Sequence, residues 1–194
     1  MKRVFSDKTC FFIAPGTYLV FALMTLLIPL RWLLAWVSSI VFHELFHILA
    51  LGCLDKHIYS IHIGIDGVKI NTPQMSLREE LVCAMAGPFG GLLLMFTARW
   101  MPVLSLCSGF LTFYNLLPLY PQDGGRALWC VANLLFGESW AKVICNIAEY
   151  LCLVGVCILG FYGTFVLKVG IFPTILVAIL IQRCRKKKNT LQRD

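Results

Sequence analysis

The amino-acid sequence predicts an all-α polytopic membrane protein with about six transmembrane helices and a short β-hairpin at the cytoplasmic membrane surface. Three observations carry that expectation. Of the 194 residues, 59% are hydrophobic and only 14% charged, far from the composition of soluble domains. Several apolar stretches reach the roughly 20 residues that an α-helix needs to cross about 30 Å of hydrocarbon. With six spans, 14 of the 17 Lys and Arg residues fall on one side of the bilayer, the bias expected of cytoplasmic segments.

The expected spans cover residues 11–29, 32–54, 78–98, 100–117, 140–162 and 164–182. An even number puts both termini on one side. The inner segments then hold Lys2, Arg3, Lys8, Lys56, Lys69, Arg78, Arg126, Lys142 and the basic tail, and the outer loops hold Arg31, Arg99 and Lys168. Residues 1–182 form one integral membrane domain and residues 183–194 a basic cytoplasmic tail. Between the second and third spans, Ile58, Ile61, Ile63, Ile65, Val68 and Ile70 alternate with polar residues around an Asp66-Gly67 turn signal, the pattern of a hairpin. In the third span, Gly87 and Gly91 form a small-xxx-small pair that lets helices approach closely, and Pro88 invites a kink.

Composition also excludes classes. The nine cysteines lie mostly inside apolar runs and form no CxxC pair, so they read as small buried hydrophobes rather than as a disulfide framework or a thiolate metal site. The net charge of +7 comes from the chain ends and short loops, which is membrane topology and not a nucleic-acid footprint. Lys2, Arg3 and Lys8 precede an apolar run without a convincing cleavage site, so a retained first helix is expected rather than a signal peptide.

The chemistry lies in His43-Glu44-Leu45-Phe46-His47. On a helix the two histidines of HExxH sit one turn apart on one face, within reach of a single zinc ion, and Glu44 lies beside them as a base for water. His43 is twelve residues from both Arg31 and Asp55, about 18 Å along the helix from either polar flank. Ionisable groups at that depth cost several kcal/mol unless paired or ligated, so a functional site is the default reading. A catalytic zinc usually has three protein ligands and one open position. His57 and His62 fall in the hairpin, and a better candidate follows the fourth span, in Asn115-Leu116-Leu117-Pro118-Leu119-Tyr120-Pro121-Gln122-Asp123-Gly124-Gly125. Two prolines break the helix and two glycines permit a tight turn, so Asp123 is expected on unwound chain.

These motifs resemble the site-2 protease family of intramembrane zinc metalloproteases. HELFH matches the family's HExxH, and the stretch from Asn115 to Gly125 matches NxxPxxPxDGG in full; the likeness spans roughly residues 10–180. Within the family it is nearest to the bacterial branch typified by the stage IV sporulation protease, which cleaves a membrane-tethered precursor of a transcription factor. The resemblance implies one zinc ion per chain held by His43, His47 and Asp123, with Glu44 as general base. It implies that Asn115 binds substrate or steadies the active-site loop, that Pro118, Pro121, Gly124 and Gly125 shape that loop, and that the hairpin around Ile63 offers a strand edge to an unwound substrate. It further implies a bacterial cell membrane, a membrane-tethered substrate with a transmembrane segment, contact with membrane lipid and regulation by other membrane proteins. Phe46 stands where relatives commonly carry glycine. The competing readings are a membrane zinc transporter, a zinc protease using Glu149 as third ligand, and a non-catalytic binding relative.

Overall fold

The computed structural model describes residues 5–64 and 67–165. The chain divides into two compact units, with the boundary between Leu116 and Leu117.

The first unit combines a small sheet with four helices. Strand β1 (Phe5–Ile13) leads into helix α1 (Pro15–Leu27), whose start is set by a proline at the first helical turn, where no amide hydrogen is needed. Helix α2 (Leu30–Cys53) follows, at 24 residues about 36 Å long. Strands β2 (Ile58–Gly64) and β3 (Gly67–Asn71) form the expected antiparallel hairpin, with Ile61 opposite Ile70 and Ile63 opposite Val68. Its inward residues Ile58 and Ile61 pack with Leu51 of α2 and Cys83 of the next helix in a small apolar core.

Helix α3 (Leu77–Met95) begins with a capping box. The Ser76 hydroxyl accepts from the Glu79 amide, and the Glu79 carboxylate accepts from the Ser76 amide. Glu79 also pairs with Lys56, just beyond α2, at 2.9 Å. This contact ties the end of α2 to the start of α3, so the two helices run in opposite directions. A 3-10 turn (Phe96–Arg99) joins α3 to helix α4 (Pro102–Asn115). The Ser105 and Ser108 hydroxyls donate to the carbonyls of Met95 and Gly91, fastening α4 along α3.

The second unit contains the Pro118–Pro121 segment and helix α5 (Asp123–Phe165), interrupted at Gly137, whose φ of +79° lies in the region that only glycine adopts without strain. Buried residues here include Leu119, Ala127, Cys130 and Ala141.

Among the described residues, three helical stretches are long and apolar enough to cross a membrane: Leu30–Cys53, Leu77–Arg99 and Asp123–Tyr162. They correspond to the second, third and fifth expected spans; the last stretch is broken at Gly137, and its part beyond the break matches the span expected over residues 140–162, while the helical part before the break was not expected. The other expectations change. Residues 11–13 of the first span belong to β1, which leaves α1 with 13 residues, fewer than the roughly 20 that span hydrocarbon. The fourth span is a 14-residue helix. The sixth, from residue 166 on, lies outside the described residues, as does the basic tail. Strand β1 was hidden by its composition: Phe11, Phe12 and Ile13 run directly into the apolar helix, and its partner β2 lies some fifty residues away, paired parallel with Phe11 opposite Ile61.

Replacing Ser76 with alanine removes one half of the capping box. The expected outcome is a loss of about 1 kcal/mol, read as a shift in equilibrium unfolding of the full chain in detergent micelles.

Candidate metal centre

His43 and His47 lie on the buried face of α2 with Leu33, Ala35, Ser39 and Leu51. Their placement follows from spacing: residues four apart on a helix project in the same direction. The rings meet edge to face, with centroids 4.9 Å apart, and the two Nε2 atoms are separated by 3.3 Å.

The neighbours of these nitrogens determine what they can do. His47 Nδ1 lies 2.8 Å from the Cys83 carbonyl of α3. A carbonyl only accepts, so Nδ1 carries the proton and Nε2 carries a lone pair. The Asn115 side-chain amide nitrogen lies 3.3 Å from His43 Nε2 and donates to it. The two Nε2 atoms, 3.3 Å apart, are within hydrogen-bond distance of each other and are also spaced as two ligands of one cation would be. Two nitrogens each about 2.0–2.1 Å from a tetrahedral zinc would lie about 3.3–3.4 Å apart. The Cys83 carbonyl is the kind of outer partner that fixes the tautomer and orientation of a ligating histidine.

Space is as constrained as polarity. A methyl group at Gly87 would meet Nε2 of both histidines, so only glycine lets α3 lie against this face of α2. Gly90, one turn along, leaves room for the Phe46 ring, which a methyl group there would meet at 2.5 Å. Phe46 also packs against Phe42 and Phe89. Glu44 is half-buried beside His43 on α2.

In the second unit Asp123 is buried, with 8% of its surface exposed, and stands at the start of α5. It was expected on unwound chain; it is the first helical residue instead, with Arg126 at 3.9 Å one turn on. Gly124 and Gly125 do not adopt positive φ, so their role differs from the tight turn expected. A methyl group at Gly125 would meet the Leu119 carbonyl group and the Tyr120 nitrogen at 2.6–2.7 Å, so this glycine lets the Pro118–Pro121 segment fold back over the first turn of α5. His43 and His47 in the first unit and Asp123 in the second are each buried, and each offers one atom able to ligate a metal ion.

The remaining expected site residues are placed as follows. Asn115 is the last residue of α4 and touches His43. Ile63 is on β2, which lies in the middle of the sheet between β1 and β3. Its carbonyl accepts from the Ala14 amide at 2.9 Å. The strand edge expected at Ile63 is thus occupied, and among the described residues the outer ladders belong to β1 and β3. Glu149, the rival ligand, sits beyond the Gly137 break in α5 and outside the donor group. His62 packs against Phe12 instead of joining the site. Sequence reasoning missed Gly87 as part of the site and read it as helix packing only; the Cys83 carbonyl carries no residue-type signal at all.

Gly87→Ala is expected to lower the metal content of the purified protein by displacing both rings. Gly155→Ala, where a methyl group meets nothing within 4 Å, should leave it unchanged. Elemental analysis of the two variants, with helix content checked by circular dichroism, makes the comparison.

No protein-family model matches the chain, and neither does any curated protein. Among solved structures, the Site-2 Protease from Methanocaldococcus jannaschii is similar with a TM-score of 0.62, over 93% of this chain and 91% of that one, at 20% identity. The likeness extends over nearly the whole of both chains, and this chain has the fold of that site-2 protease.

Proposed function

We propose that this protein is an intramembrane zinc metalloprotease that hydrolyses peptide bonds within or next to the transmembrane segments of membrane-tethered proteins. The observation that carries the reading is the pair of buried histidine Nε2 atoms 3.3 Å apart, on an HExxH helix in a fold shared with a site-2 protease. His43 and His47 are the nitrogen ligands and Asp123 the oxygen ligand, one zinc per chain. When bound, zinc supplies a Lewis acid that polarises the scissile carbonyl and makes water more acidic.

The chain's own residues do the rest. Glu44 accepts the proton of the attacking water and passes it to the leaving amine. Asn115, whose amide nitrogen already points at His43 Nε2, donates to the negative charge that develops on the carbonyl oxygen. A peptide bond inside a helix is shielded by backbone hydrogen bonds, so the substrate segment must unwind. Because β2 is paired on both sides, an extended substrate would add at β3 or β1 rather than at Ile63. The sporulation-type branch of the family, with a membrane-tethered transcription-factor precursor as substrate, is the closest precedent in motif. The protein would then sit in a bacterial cell membrane with both termini in the cytoplasm, under the control of partner membrane proteins.

Glu44→Gln keeps size and metal ligands but cannot accept the proton. It is expected to stay zinc-loaded while turnover of a co-expressed single-span substrate falls by roughly 10²- to 10⁴-fold; cleavage at the native rate would refute the role of Glu44. Asp123→Ala should lose zinc, and full occupancy in that variant would remove Asp123 from the ligand set. Reporter fusions after Phe5 and Thr190 should both report the cytoplasm.

A further inference from the structure

At the end of α2 remote from the hairpin, the first unit has a groove of about 290 Å³. One wall is a single face of α2: Arg31, Leu34, Ala35 and Ser38 follow the i, i+3, i+4, i+7 spacing. The other wall comes from the turn between α3 and α4 and the first residues of α4, chiefly Trp100, Val103 and Leu104. Arg31 is the only charged group in the lining, and among the described residues it forms no ion pair. Trp100 is 77% exposed at the rim.

Depth and chemistry together select the occupant. Arg31 is twelve residues before His43, about 18 Å along the helix axis, against a hydrocarbon half-thickness of about 15 Å. With the histidines near mid-membrane, Arg31 stands at the level of lipid phosphates, and Trp100 sits where indole rings anchor at the interface. Below Arg31 the groove is apolar apart from the Ser38 hydroxyl, which suits acyl chain. No carboxylate lines it, so the ammonium of a choline or ethanolamine head group finds no counter-charge there.

We propose that this groove binds one anionic phospholipid, with the phosphodiester on Arg31 and the upper acyl chain between Leu34 and Leu104. The site is separate from the metal centre and does not depend on the proteolytic reading. It joins α2, which carries the histidines, to the connection between α3 and α4 at the opposite end from the Lys56–Glu79 pair.

The test is native mass spectrometry of the full chain in dodecyl maltoside, titrated with dioleoyl phosphatidylglycerol or dioleoyl phosphatidylcholine. The wild-type chain is expected to retain one phosphatidylglycerol in preference to phosphatidylcholine. Arg31→Ala should lower that retention roughly fivefold, the factor for about 1 kcal/mol per basic residue near an anionic surface. Arg99→Ala removes the same charge from an exposed residue outside the groove and should change little. Leu104→Trp fills the groove while leaving the charge, and should also lose the lipid. Equal retention of the two lipids, an Arg31→Ala chain that binds as the wild type does, or equal losses in Arg99→Ala and Arg31→Ala would each overturn the proposal. Displacement of the lipid by an equimolar amount of glycerol phosphate would overturn it too, since the head group alone would then account for binding.

Discussion

The first unit brings two imidazole nitrogens, His43 Nε2 and His47 Nε2, to 3.3 Å of each other in a buried setting. The pair is removed from water, so its contacts within the protein must replace those lost. The surrounding structure holds it in place. The Cys83 carbonyl fixes the His47 tautomer, Asn115 fixes the polarity of His43, and Gly87 admits α3 to the distance at which the first contact forms. Held from three directions, the two rings are fixed in an orientation from which both nitrogens could reach one ion.

The helices that provide those constraints are positioned by contacts at their ends. Lys56 and Glu79 join α2 to α3 on the hairpin side, and Glu79 serves the capping box at the same time. Along their length α3 and α4 are joined by serine hydroxyls that donate to backbone carbonyls. In hydrocarbon, where apolar burial distinguishes poorly between protein and lipid, such polar contacts and close glycine packing provide the specificity that a soluble core draws from the hydrophobic effect. The large exposed side chains on α1 and α5, such as Leu19, Leu26, Leu151 and Leu159, agree with that division of roles.

Much of this was legible in the sequence, and the reasons differ by element. HExxH reads directly because the chemistry demands a fixed helical spacing, and the hairpin reads because Ile61, Ile63, Val68 and Ile70 alternate. Strand β1 does not, because its pairing with β2 is long-range and its last residues have the composition of the following helix. The fifth span was placed from residue 140, just past the break at Gly137, and what the sequence did not show is the helical stretch that precedes the break. Asp123 was read as a ligand from motif and backbone breakers, yet the glycines beside it act by admitting a neighbouring segment and not by turning the chain. Residue identity alone does not separate those two uses of glycine.

Phe46 illustrates how a local departure is absorbed. Placed between Glu44 and His47 in sequence, a bulky ring would be expected to push α3 away from α2 and spoil the approach at Gly87. The ring instead occupies the space left at Gly90, against which any side chain would collide, and continues into a row with Phe42 and Phe89. The volume added on α2 is matched by volume missing on α3, so the interhelical distance that the histidines need is preserved. Gly87 and Gly90 thus divide the seam between two demands, one glycine admitting the two imidazole rings and the other the Phe46 ring. A side chain at Gly90 would be compatible with this helix spacing only if a smaller residue replaced Phe46.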